Sequence, residues 1–167
     1  MPKSALLLCC CLVLSAASST TGFRGLRPHA NRADYAVTCF TEDIGVGASL
    51  VRSESVRRIF GEEIDRNYIV VEVGFYSKNR ASFEVRHADF ALRNRPSRKL
   101  VKSVDPEMIV STMSSPLSSL IEKTLPQVST SQAVAGYLFF PITEASASFE
   151  LDYTGYGAWL TLPLRPE

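Results

Sequence analysis

Residues 68–77 read Tyr-Ile-Val-Val-Glu-Val-Gly-Phe-Tyr-Ser. On an extended chain Ile69, Val71, Val73 and Phe75 fall on one side, and Tyr68, Val70, Glu72, Gly74 and Tyr76 on the other. This period of two, carried by β-branched and aromatic residues, marks a strand with one face on a core and one mixed face. Lys78-Asn79-Arg80 then reads as a turn. Phe83 and Val85 alternate with charged neighbours in residues 82–86, and Phe90 and Leu92 do so in residues 89–93. These are the next strands.

The same pattern extends outward. Residues 35–41 and 132–141 are rich in strand formers. Residues 148–153 and 158–164 form an alternating hairpin across Thr154-Gly155-Tyr156-Gly157. Residues 44–50 are expected to be extended or irregular, with Gly45 and Gly47 marking a bulge or a close backbone approach. Helical signals are few. Residues 53–60 carry Ser53 as an N-cap, an apolar face of Val56, Ile59 and Phe60, and Gly61 as the stop. Residues 62–67 read as a polar loop. Asp105-Pro106 and Ser115-Pro116 each pair a cap with a first-turn proline, which opens two short helices within 105–125. The expected fold is mainly β. It is an antiparallel immunoglobulin-like β-sandwich of about seven strands, with short helices at 53–60 and an inserted pair at 105–125.

Three segments have a familiar order: Tyr68-Ile-Val-Val-Glu-Val-Gly-Phe-Tyr-Ser-Lys-Asn, then Phe83-Glu-Val-Arg-His-Ala-Asp-Phe-Ala-Leu, then Ala133-Val-Ala-Gly-Tyr-Leu-Phe-Phe-Pro. Over residues 68–93 and 132–164 the chain resembles the telokin-like, immunoglobulin-type domain of bacterial exported proteins. The resemblance implies that Phe90 and Leu92 pack into the sandwich. It also implies a role in binding or surface interaction, with no general catalytic site. The helical insert departs from the simplest members.

The amino terminus carries a targeting pattern. Lys3 precedes an uncharged apolar run, residues 5–17, that ends in small residues. This is the plan of a secretory signal peptide cleaved after Ala17, with Ser15 and Ala17 at the small positions. Thirteen helical residues span about 20 Å, too short for a hydrocarbon core of about 30 Å. The alternatives are an uncleaved membrane anchor and lipidation of Cys9, Cys10 or Cys11. These cysteines follow leucines or other cysteines rather than small residues. Residues 18–33 read as a flexible leader, and residues 34–167 as a single sandwich domain. The mature chain, formally neutral, keeps Cys39 alone, so it has no internal disulfide framework. Cys39 reads as a buried apolar thiol, with pairing between chains as its alternative.

Chemistry-bearing residues are sparse. His29 lies in the leader, where it cannot easily be held in geometry, and His87 is expected as an exposed strand residue. A Cys39–His87 nucleophile pair has no sequence signature. Zinc lacks ligands: the mature chain has three His or Cys, far apart. Glu150 and Asp152 share a strand face, as surface carboxylates commonly do. No metal, cofactor or catalytic residue is therefore expected.

Residues 78–102 hold eight basic side chains against Glu84 and Asp89. Arg93, Arg95, Arg98, Lys99 and Lys102 are expected to form a loop that docks onto an anionic envelope component or an acidic protein. Nucleic acid is not expected, since the whole-chain charge is +1 and no aromatic residue interleaves this run. The expected protein is an exported, periplasmic or extracellular, non-enzymatic interaction module at the cell envelope. The alternatives are an envelope structural or assembly subunit and an enzyme with a cryptic site.

Overall fold

The computed structural model describes residues 24–113, 118–146 and 148–165. The expected signal peptide, the first part of the leader and the Ser115-Pro116 helix start lie outside them.

The described chain is mainly β, with antiparallel sheets that do not close into a barrel. Ten strands are present among the described residues, against the expected seven or so. One sheet joins β1 (Val37–Phe40), β2 (Ile44–Leu50), β3 (Tyr68–Ser77) and β8 (Val134–Pro141) in that order. A second has the order β10 (Leu160–Leu164), β9 (Phe149–Tyr153), β5 (Phe90–Asn94) and β6 (Leu100–Lys102). A two-stranded ribbon pairs β4 (Phe83–Val85) with β7 (Val128–Thr130). The additional strands are β2, β6 and β7. Strands β6 and β7 have three residues each, too few for an alternation to be read.

The two four-stranded sheets pack face to face. Val71, Val73 and Phe75 of β3 meet Phe90 and Leu92 of β5, Leu151 and Tyr153 of β9, and Leu162 of β10 in one apolar cluster. The Phe75 ring stands 5.8 Å from Phe83, 5.7 Å from Phe90 and 5.3 Å from Tyr153. Each fully buried side chain of this kind contributes about 1.5–3 kcal/mol of transfer free energy.

The mixed face of β3 is covered too, so a helical layer lies outside the first sheet. Helices α1 (Ser53–Phe60), α2 (Glu62–Asn67), α3 (Pro106–Thr112) and α4 (Ser118–Lys123) bury Val56, Phe60, Ile64, Ile109 and Leu120. These side chains pack against Val70, Tyr137 and Phe139 of the sheet. Helix α2 replaces the expected polar loop at 62–67. Its single buried residue, Ile64, gave no period to read, and its ends are fixed by an Arg66–Glu62 ion pair and by Ser53 bonding to Asp65. Helix α3 starts as expected, with Asp105 accepting from the Glu107 amide and Pro106 in the first turn.

From Arg24 the expected leader runs along this same face in place of a free chain. Leu26 bridges to Ala135, the Tyr76 hydroxyl donates to the His29 carbonyl, and His29 Nε2 lies 3.0 Å from Glu72. Long-range contacts hold this segment, and its composition does not show them.

Candidate functional site

Two regions are candidates for a functional site: the basic segment and a cleft beside His87. The basic segment is a tight β-connection. Arg93 lies in β5, Lys102 in β6, and Asn94 organises the turn between them. The Asn94 amide donates to the Lys99 carbonyl, the Arg98 amide donates to the Asn94 carbonyl, and Arg98 takes a positive φ of 61°.

Antiparallel register sets Arg93 opposite Glu150 and Ala91 opposite Asp152. Arg93 donates through both Nε and Nη2 to Asp152, at 3.2 and 2.5 Å. Arg95 pairs with Glu150 at 3.2 Å and Lys99 with Glu144 at 3.5 Å. A hydrogen bond from Ser97, with the Lys99 ammonium nearby, holds the Glu144 carboxyl below its ordinary value. Lys102 donates to the Ala88 carbonyl. The Arg98 side chain is in no ion pair among the described residues. The structure therefore keeps the five basic residues together, with three of them committed to acids 45 or more positions away in sequence. Glu150 and Asp152 do share a face, and both are occupied by arginines. Thr161 adds a hydrogen bond to Asp152.

The cleft begins where β4 ends. A 3-10 turn over His87–Asp89 breaks the strand and carries His87 inward, to 7% exposure, where an exposed strand residue was expected. Its Nε2 lies 2.5 Å from the Leu125 carbonyl, and its amide donates to Gln127. A carbonyl can only accept, so Nε2 carries the proton. In the neutral ring Nδ1 is then a bare acceptor, and it is buried with no partner among the described residues.

Leu125 is fixed by the end of α4 and by β8. The Thr124 hydroxyl donates to Leu120, and the Leu125 amide donates to Tyr137. Gly136 lets this backbone lie on the strand, because a Cβ there would overlap Leu125. The resulting cleft has a volume of about 650 Å³. Residues 124–128 and the start of α3 form its walls, Ile121 adds apolar surface, and Arg24 lines it. Asp105 and Glu107 bring two carboxylates to it, and Cys39, in β1, does not line it. Among the described residues no three His, Cys, Asp or Glu side chains converge as a metal site. No described helix is long and apolar enough to cross a membrane.

The cleft was not read from sequence. The only available signal was the break in alternation at Arg86-His87-Ala88, between two otherwise regular strands.

No family model and no curated protein matches the chain. Two solved structures from Bacillus subtilis resemble it. The ycdA protein of subsp. subtilis str. 168, described as a candidate lipoprotein, has 18% identity and a TM-score of 0.48. The match covers 77% of this chain, which spans 38% of the ycdA chain. The yjhA protein has 11% identity and a TM-score of 0.49, over 80% of this chain and 98% of its own.

Proposed function

We propose that this chain is an exported, non-enzymatic binding module that holds a small ligand in the cleft beside His87. The observation that carries this reading is a cleft of about 650 Å³ whose lining sets the polar side chains of Arg24, Glu107 and Gln127 beside the apolar surface of Ile121, Leu125 and Val128. The volume lies within the ~300–1,000 Å³ of small-molecule sites. Export rests on the order of charge, apolar run and small residues over positions 1–17. An immunoglobulin-type identity for the two packed sheets is part of the same reading, supported by the inward Phe90 and Leu92 and by the closing hairpin.

Thermal unfolding of the full exported chain, against a panel of amino acids, short peptides, sugars and nucleosides, tests the cleft. A ligand should raise the midpoint of the native chain and leave Glu107→Trp unmoved, since Glu107 is an exposed residue of the cleft wall. A panel without any shift, or an equal shift in both chains, removes the reading. Amino-terminal sequencing of the exported protein should begin near Ser18, and intact Met1 in a cytoplasmic fraction would remove export.

A second reading, docking onto an anionic envelope component or another envelope chain, is favoured by surface residues outside the cleft. The Arg98 side chain is exposed and in no ion pair among the described residues, and Trp159 is 75% exposed just before β10.

A further inference from the structure

We propose that the outer face of the second sheet rests weakly and reversibly on an anionic lipid bilayer, with Trp159 as its anchor. This rests on the second reading above, names its partner, and is independent of the cleft. Antiparallel register defines the face. Pro163 of β10 stands in one row with Glu150 of β9, Arg93 of β5 and Leu100 of β6, and the neighbouring row runs from Thr161 to Lys102. Residues directly opposite in such a ladder share a side. Exposed and buried residues alternate from Trp159 to Arg165, so both of these lie on that side too. Four strands make the face about 15 Å wide. None of the side chains packed in the helical layer belongs to β5, β6, β9 or β10, so the helices leave this face open.

Charge divides between the two sides of the molecule. The outer face and its β5–β6 turn carry six basic side chains, those of the basic segment and Arg165, against Glu144, Glu150 and Asp152. Residues 53–67 and 105–123, which hold the helices of the opposite layer, carry seven acids against four bases. The ion pairs reduce the charge of the outer face without changing its sign. Opposite signs on opposite sides turn the outer face toward an anionic surface.

The apolar groups indicate what kind of surface it is. Trp159 is 75% exposed at the β10 edge, and Leu100 is 48% exposed at the β6 edge. Neither lines the cleft or the three cavities of 300–350 Å³ elsewhere in the described chain. Set apart among polar side chains, they enclose no small ligand and form no continuous apolar core for a protein interface. A bilayer surface accepts such a pattern: indole settles at headgroup level, and cations meet the anionic headgroups.

Trp159 is the only tryptophan of the chain, so its fluorescence reports on the anchor alone. The full exported chain is titrated to millimolar lipid with phosphatidylglycerol vesicles at about 0.1 M salt. The emission should move to shorter wavelength, acrylamide should quench it less, and lipid brominated in its tails should quench it more. Phosphatidylcholine vesicles should give a smaller shift. Arg98→Asn with Lys102→Gln should weaken binding roughly fivefold per cation, the equivalent of about 1 kcal/mol near an anionic surface. Asparagine tolerates the positive φ of Arg98. Leu100→Ser should weaken binding with no change in charge.

An emission unmoved by lipid overturns the bilayer, and so does a shift equal in both vesicles or untouched by brominated tails. If polyglutamate then shifts the emission where lipid does not, docking onto an acidic envelope chain stands in its place. If neither moves it, the second reading falls with the bilayer.

Discussion

Gly47 of β2 lies directly opposite Gly74 of β3, and the ring of Tyr35 covers both. A Cβ on either glycine would overlap that ring. The close backbone approach expected of Gly47 is therefore an aromatic seat, built from two strands at once. It fixes the chain just before β1 onto the face that also carries the helices.

The seat gives the first expected outcome. Alanine in place of a strand glycine usually stabilises by roughly 0.5–1 kcal/mol, through backbone entropy. At Gly74 the sign should reverse, with a loss of about 1–3 kcal/mol from overpacking against Tyr35. In a Tyr35→Ala background the same change should be neutral or favourable. Chemical denaturation of the four chains of this cycle measures the coupling. An equal effect of Gly74→Ala in both backgrounds would mean that the ring does not occupy the seat.

Tyr153 carries a pH dependence of known sign. It is fully buried, and burial with the Asp89 carboxylate nearby pushes its phenol up to about 12. The unfolded phenol titrates near its ordinary value of about 10. Below that value both states keep the proton and the contribution to stability is complete. As pH rises toward about 12, only the unfolded chain ionises, so stability falls at up to about 1.4 kcal/mol per pH unit. The Tyr153 hydroxyl has no partner among the described residues. Tyr153→Phe should therefore be neutral or stabilising at neutral pH and flatten the alkaline decline. Denaturation curves at stepped alkaline pH check both statements, and an unchanged slope would sink the second.

Phe90 reports on strand register. It is fully buried and meets both Phe75 and Tyr153, at 5.7 and 5.1 Å between ring centres. Phe90→Ala should be destabilising by about 3–5 kcal/mol. A shift in denaturation below about 1 kcal/mol would place this residue on the outer face, as a one-residue slip does.

Period was the legible part of this chain. Strand β3 and the alternation at Phe90 and Leu92 were readable because a half-buried strand repeats every two residues. Helix α1 was readable from its apolar face, and α3 from its cap and proline. What sequence hid is long-range. The cover over the mixed face of β3 is one case, because Gly74 and Glu72 there meet Tyr35 and His29, far back along the chain. His87 looked solvated beside Arg86 and Asp89. Its burial depends on Leu125, 38 positions away. The basic run looked unbalanced for the same reason, since its acids sit on β9 and the segment before it.

That last relationship can be measured. Arg93, Arg95, Arg98, Lys99 and Lys102 would each add about 1 kcal/mol of attraction near an anionic membrane if all were free. Glu150, Asp152 and Glu144 already take Arg93, Arg95 and Lys99. Exposed pairs such as Lys99–Glu144 are individually weak, so the acids act here chiefly by cancelling local charge. Native protein should then sediment only weakly with vesicles of anionic lipid at low salt. The double variant Glu144→Gln with Glu150→Gln uncovers Lys99 and Arg95 without removing any cation. It should sediment more, and the gain should vanish as the screening length shrinks from about 10 Å at 0.1 M salt to about 3 Å at 1 M. Arg98→Ser in that background should reduce the gain. If the double variant sediments no better than the native chain, the acids are not what limits this segment. If the native chain already binds strongly in a salt-sensitive way, the basic segment docks in spite of its ion pairs.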